Sequence, residues 1–147
     1  MGFSSKFFSD TVLLAFARHR ILASPSATLY VADVLDRHLT AVALRSASER
    51  SYAEQLLEAR QQGPSAQAVE ARRVGDECLV VAGFFPPSNP RRLVDAGYYA
   101  DVGVTAYGTA ATVLRSRTPA MATLLEELMH RFHSIAVALR GVEARVY

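Results

Sequence analysis

The sequence predicts an all-α fold: a single domain, residues 1–147, of five to six helices around a central proline-broken helical hairpin. Three observations predict it. Apolar residues recur at three- and four-residue spacing along most of the chain, the repeat of one helix face. Ala, Leu, Val and Arg dominate, and runs of β-branched residues are short. The longest apolar run, ending at Phe85, meets Pro86-Pro87-Ser88-Asn89-Pro90, which forces an extended, non-helical crossing.

The elements follow in order. Ser9 or Asp10 can cap a first helix reaching Leu22, with Val12, Leu13, Phe16 and Ala17 on its apolar face and Ala23-Ser24-Pro25 as its stop. Ser26 opens a second helix, from Ala27 to Ala47, with Val31, Val34, Leu35 and Val42 inward. Asp33 and Arg37 are four apart and can pair, and His38 falls on the apolar stripe as a satisfied core or interface histidine. Ser48 begins a third helix, with Ser51 and Glu54 as a capping box one turn further in. Ala53, Leu56 and Leu57 form its inner face, and Gly63-Pro64-Ser65 ends it.

A fourth helix spans Ala66 to Ala82. Its first half is charged, and Cys78 to Phe85 carries no charge at all. A strand is conceivable for Leu79 to Phe85, but no partner strand is evident, so helix is preferred. Beyond the prolines, Asp95 caps a fifth helix running to Arg115, with Tyr99, Val102, Ala106, Ala110 and Val113 as its stripe. Ala96, Ala100 and Gly103 suggest a neighbour packed closely against it. Thr118-Pro119 starts a sixth helix, striped by Met121, Leu125, Leu128, Phe132, Ile135 and Leu139 and ended by Gly141.

Composition narrows the function classes. Half the residues are apolar and a fifth charged, a globular balance rather than a disordered one. A net charge of +2 is too small to point to nucleic acid, and the arginines are scattered rather than striped. Lys6 is the sole lysine among 16 Lys and Arg. Cys78 is the one cysteine, so no disulfide forms within the chain, and its apolar neighbours read as those of a buried thiol. The run Val12 to Ala17 is too short for a signal-peptide core, and Lys6 stands where a myristoylation motif needs Ser or Thr. No segment reaches the length of a membrane span. The expected setting is the cytoplasm, with no nucleic-acid or membrane partner and no cofactor.

Two constellations merit chemical scrutiny. Glu127 and His130 are three apart, as in di-metal helical bundles, and His133 follows. No second such motif exists, and Glu126, His130 and His133 point away from the face of Leu128, Phe132 and Ile135, so no metal site is assigned. The other surrounds the proline breaker. Arg72, Arg73, Arg91 and Arg92 flank it, Asp76 precedes it, and Tyr98, Tyr99 and Tyr107 follow it. These eight are the candidate ligand-binding residues, with Tyr98, Tyr99 and Tyr107 beside Phe84 and Phe85 as an aromatic lining. Pairing of the arginines with Asp76, Glu77, Asp95 and Asp101 is the plainer account of the same residues. No catalytic residue is assigned.

Gly75-Asp76, Gly83-Phe84-Phe85-Pro86, Tyr98-Tyr99, Gly103, Ala106-Tyr107 and the earlier Leu29-Tyr30-Val31-Ala32-Asp33 together resemble the pattern of an uncharacterised family of bacterial all-helical proteins. The resemblance covers most of the chain. It implies one helical domain in a bacterium and brings no substrate or cofactor with it. The leading expectation for function is a non-enzymatic interaction or adaptor module that forms a homo-oligomer, most simply a homodimer, or engages another protein. The alternative is a small-ligand-binding or enzymatic domain with a Tyr/Arg-lined pocket.

Overall fold

A computed structural model describes the backbone of residues 2–44, 51–84 and 96–146 and the side chains of residues 8–42, 51–84 and 97–140. Among them are seven helices and no strand: α1 (Gly2–Arg18), α2 (Pro25–Leu44), α3 (Tyr52–Ala59), α4 (Pro64–Phe84), α5 (Ala96–Leu114), α6 (Pro119–His130) and α7 (Phe132–Val146).

The all-α class is as the sequence predicts. Helix α4 is the central element, packing against α2, α3, α5 and α7, and its largest partner is α5. Every residue from Val74 to Phe84 is buried. A helix apolar all round belongs in a core, so the Leu79–Phe84 run is helix and not strand. The proline crossing, Phe85, Asp95, Arg91 and Arg92 lie outside the described residues.

Glycines set how closely α4 and α5 approach their neighbours. A Cβ on Gly103 would lie 2.5 Å from the Phe132 ring and 3.1 Å from Cys78 Cβ. One on Gly75 would lie 2.7 Å from the Tyr107 ring. The close approach expected at Gly103 is therefore made by an aromatic ring of α7 and by α4.

Several boundaries differ from expectation, each for a local reason. Helix α1 already runs from Gly2, with Ser9 and Asp10 inside it, and stops at Arg18 instead of Leu22. There Arg20 turns left-handed, with φ 56°. The Ile21 N–H reaches Phe16 C=O at 2.9 Å and the Arg20 N–H reaches Ala17 C=O at 3.2 Å, the bond pair of a Schellman terminus. Its buried face is Val12, Ala15 and Phe16, while Leu13 is exposed. Ser24 rather than Ser26 caps α2: its Oγ accepts the Ala27 N–H at 3.1 Å, with Pro25 at the first helical position.

The Ser51–Glu54 capping box is present, but α3 begins at Tyr52, and Ala59 replaces Leu57 in its buried face. The expected sixth helix is two. Arg131 leaves helical geometry at φ −107°, and α7 then runs past Gly141 to Val146. The apolar stripe Leu125, Leu128, Phe132, Ile135 and Leu139 crosses this break and is buried throughout. On α5 the buried face centres on Tyr99, Gly103, Ala106, Tyr107 and Ala110, leaving Val102 and Val113 at its edges.

Candidate functional site: a buried acid, tyrosine and arginine network

The first half of α4 carries Arg72-Arg73-Val74-Gly75-Asp76-Glu77. Successive helical residues point about 100° apart, so this run addresses several neighbouring helices at once. Asp76 and Glu77 are each only 2% exposed. A buried carboxylate is tolerated when it is paired and hydrogen-bonded, and both are.

Asp76 faces α2 and α5. Tyr30 donates its hydroxyl to Asp76 Oδ1 at 2.9 Å, and Tyr107 donates to the same oxygen at 2.8 Å. Gly75 makes the second contact possible, because the Tyr107 ring lies where a Gly75 side chain would stand. Arg72 donates Nε to the Tyr30 hydroxyl at 2.8 Å, and its guanidinium sits 5.3 Å from the centre of the Tyr30 ring. Tyr30 thus accepts from Arg72 and donates to Asp76. Arg37 Nη2 lies 4.0 Å and His38 Nε2 lies 3.7 Å from Asp76 Oδ2.

Glu77 faces α3 and the same α2 histidine. Arg73 Nη1 donates to its Oε2 at 3.2 Å, and the Tyr52 hydroxyl to its Oε1 at 3.0 Å. His38 Nδ1 is 3.9 Å from Glu77 Oε2, so the imidazole lies between the two acids. Arg73 also holds Gln55 Oε1 at 2.8 Å and Glu70 Oε1 at 3.0 Å.

The electrostatics follow from burial. Loss of water raises the Asp76 carboxyl from 3.8 to about 6, against the opposing hydrogen bonds of Tyr107 and Tyr30 and the charges of Arg72 and Arg37. Burial first, and then the Asp76 charge, pushes both tyrosine hydroxyls upward, so they remain donors. Burial lowers His38, aided by Arg37 and Arg73 and opposed by Glu77 and Asp33. Burial raises the Cys78 thiol, which is fully enclosed.

Of the eight sequence candidates, Arg72, Asp76 and Tyr107 meet in one network, and Arg73 joins it through Glu77. The Arg73–Glu77 pair is the pairing the sequence offered as the plainer account. Tyr98 and Tyr99 stand apart. Their rings meet edge to face at 5.1 Å, Tyr99 meets Tyr52 at 6.3 Å, and the Tyr98 hydroxyl accepts the Ala53 N–H at 3.0 Å. They dock α3 onto α5. Arg91 and Arg92 lie outside the described residues.

Sequence reasoning missed Tyr30, Tyr52, Arg37 and His38 as members. Tyr30 carried a usable signal: a tyrosine next to a valine stripe needs a partner for its hydroxyl once buried. Among the described residues, no group of three or more His, Cys, Asp or Glu is placed to hold a metal ion. Glu127 instead accepts the Ser24 N–H and hydroxyl, each at 2.7 Å, and His130 and His133 are exposed on either side of the α6–α7 break.

Arg72 also lines a groove. It has a volume of about 290 Å³ and runs between the start of α4 and the α5–α6 junction. Ala68, Val69, Val113 and Leu114 give it apolar walls, and Arg117 also lines it, donating to Ser65 Oγ at 2.7 Å. Among the described residues, no helix is long and apolar enough to cross a membrane. No family model, curated protein or solved structure matches the chain.

Proposed function

We propose that the chain is a small-ligand-binding helical domain whose polar centre is the Arg72–Tyr30–Asp76–Tyr107 network. The observation that carries this reading is Arg72 itself. One guanidinium lines an apolar-walled groove and, through a single hydroxyl, connects that groove to a buried carboxylate raised to about 6. Concave apolar walls with a few convergent polar groups, beside a perturbed acid, are the usual marks of a ligand site.

The test is a thermal-shift panel on the purified full chain, using short carboxylates, amines, nucleotides and sugars. The expected outcome is a class of compound that raises the melting temperature of the wild type and loses that effect in Arg72→Gln. A panel in which no compound binds, or in which binding survives Arg72→Gln, overturns the proposal.

A second reading, a homodimeric interaction module, is favoured by one specific observation. Leu13, Leu14, Leu22 and Leu29, at the α1–α2 end of the chain, are 53%, 61%, 81% and 59% exposed. These are four of the six large apolar side chains exposed among the described residues, and a contiguous apolar patch would mark an interaction site. Light scattering after size exclusion tests it. A dimer that Leu13→Glu and Leu14→Glu convert to monomer supports it, and a strict monomer ends it.

A further inference from the structure

We propose that the groove between α4 and the α5–α6 junction binds a small organic anion, with its acidic headgroup between Arg72 and Arg117 and a short apolar body along Ala68, Val69, Val113 and Leu114. This rests on reading the Arg72 network as a ligand site and names the class of ligand.

Charge complementarity chooses the occupant. The groove lining carries two guanidinium groups and no carboxylate. Arg117 makes its described bond to a neutral hydroxyl, Ser65 Oγ. Arg72 uses only Nε, on Tyr30, in its described hydrogen bond, while its charge is opposed by Asp76 from behind. A guanidinium presents five donors in a planar fork and suits a carboxylate or phosphate. The volume selects the body. At about 290 Å³ the groove lies at the small end of ligand sites, enough for a molecule on the order of ten heavy atoms. The apolar walls disfavour a polyhydroxylated or multiply charged molecule, whose polar groups would lose water without gaining partners.

The same geometry couples binding to a proton. An anion on Arg72 adds a negative charge near Asp76 and draws the Arg72 charge away from Tyr30. Both effects favour the protonated carboxyl. The charged and titratable groups that face Asp76 are Tyr30, Arg37 and His38 from α2, Arg72 from α4 and Tyr107 from α5, and its chain neighbour Glu77 shares His38 with it. Among them Arg72 is the one that lines the groove.

The experiment is calorimetry and side-chain NMR on the full chain with three probes: hexanoate, hexanol and inorganic phosphate. Hexanoate is expected to move the Arg72 and Arg117 Nε–H signals and to bind about tenfold more tightly than hexanol. It should lose about tenfold in Arg117→Gln, the loss expected of one charge-assisted hydrogen bond. Repeating the titration near pH 6.5 in buffers of different ionisation heat should show proton uptake that Asp76→Asn abolishes. Arg117 makes no described contact with the buried network, so its substitution leaves the fold intact, and Arg72→Lys serves as the second variant.

Equal binding of hexanol and hexanoate, or unchanged affinity in both arginine variants, overturns the proposal. Phosphate binding as tightly as hexanoate overturns the apolar body. If hexanoate leaves both arginines unmoved while another panel compound shifts Tyr30 and Tyr107, the groove assignment fails and the ligand-domain reading stands. If no probe or panel compound moves any of these residues, both fail.

Discussion

Replacing Asp76 with Asn should change how stability depends on pH, in a direction that the structure fixes. Burial raises this carboxyl from 3.8 to about 6, so the folded chain holds the proton more tightly than the unfolded chain does. The residue's contribution is therefore most favourable below about pH 4 and is lost as pH rises through about 6. The span between the two values corresponds to about 3 kcal/mol. Asparagine resembles the protonated acid in shape and can accept the same Tyr30 and Tyr107 bonds, but it does not titrate. The stability of the wild type minus that of Asp76→Asn should thus fall by about 3 kcal/mol from about pH 4 to about pH 7. Urea unfolding followed by far-UV circular dichroism at constant ionic strength measures it. His38 acts in the opposite sense. Its pKa is lowered by burial, so its contribution is present above its ordinary 6.5 and is lost as pH falls. Because His38 lies 3.7 Å from Asp76, the comparison is repeated in a His38→Gln background. A difference that is flat, or that rises with pH, in both backgrounds refutes the reasoning.

Four further substitutions probe the frame. Gly103→Ala would set a methyl group 2.5 Å from the Phe132 ring, which Tyr107 crowds from another side, and should cost about 1–3 kcal/mol. Gly63→Ala meets nothing within 4 Å and should gain about 0.4–1 kcal/mol, and thermal melts of the pair read the contrast. Arg20→Gly should stabilise by about 1 kcal/mol, since Arg20 occupies the left-handed position of the α1 terminus at φ 56°; an unchanged or lower midpoint in urea counts against it. Ser24→Ala removes the α2 cap and the hydroxyl bond to Glu127 while leaving the backbone N–H bond, and should cost about 1–2 kcal/mol; a double-mutant cycle with Glu127→Ala should show the two losses to be less than additive.

The helices were legible because their apolar spacing is strong, and the exceptions have physical causes. The α1 terminus hid behind Arg20, because a left-handed terminus is normally announced by glycine. The Arg131 break was silent because Leu125, Leu128, Phe132, Ile135 and Leu139 keep their spacing straight through it. In the site, Arg72, Asp76 and Tyr107 were visible as polar residues around a breaker, whereas Tyr30, Arg37 and His38 are fifty positions or so upstream in an ordinary amphipathic helix. Only the packing of α2 across α4 brings them to the acids, and a single sequence carries no direct mark of that crossing. The split between Arg72 and Arg73 was hidden for the same reason: adjacent on α4, they reach different helices.

The Gly75-Asp76 pair and Tyr107 form one device. Without a side chain at Gly75, the Tyr107 ring packs close against α4 and its hydroxyl arrives at Asp76. The result is a carboxylate that is fully hydrogen-bonded and yet still about 3 kcal/mol less comfortable when charged in the fold than in water. An apolar side chain of similar size at a buried ionic position is often neutral or stabilising, so folding alone gives no reason for an acid here. Arg37 and Arg72, which reach Asp76 and its Tyr30 partner from less buried positions, favour the charged carboxylate but only partly offset the cost of its burial. A group whose charge is costly at neutral pH, and whose partner Arg72 also lines a groove, is suited to take up a proton when that partner is drawn away. Stability and function should therefore move in opposite directions at Asp76. Asp76→Asn should be the more stable protein at neutral pH and should bind hexanoate without taking up a proton, a combination that a purely structural carboxylate does not produce.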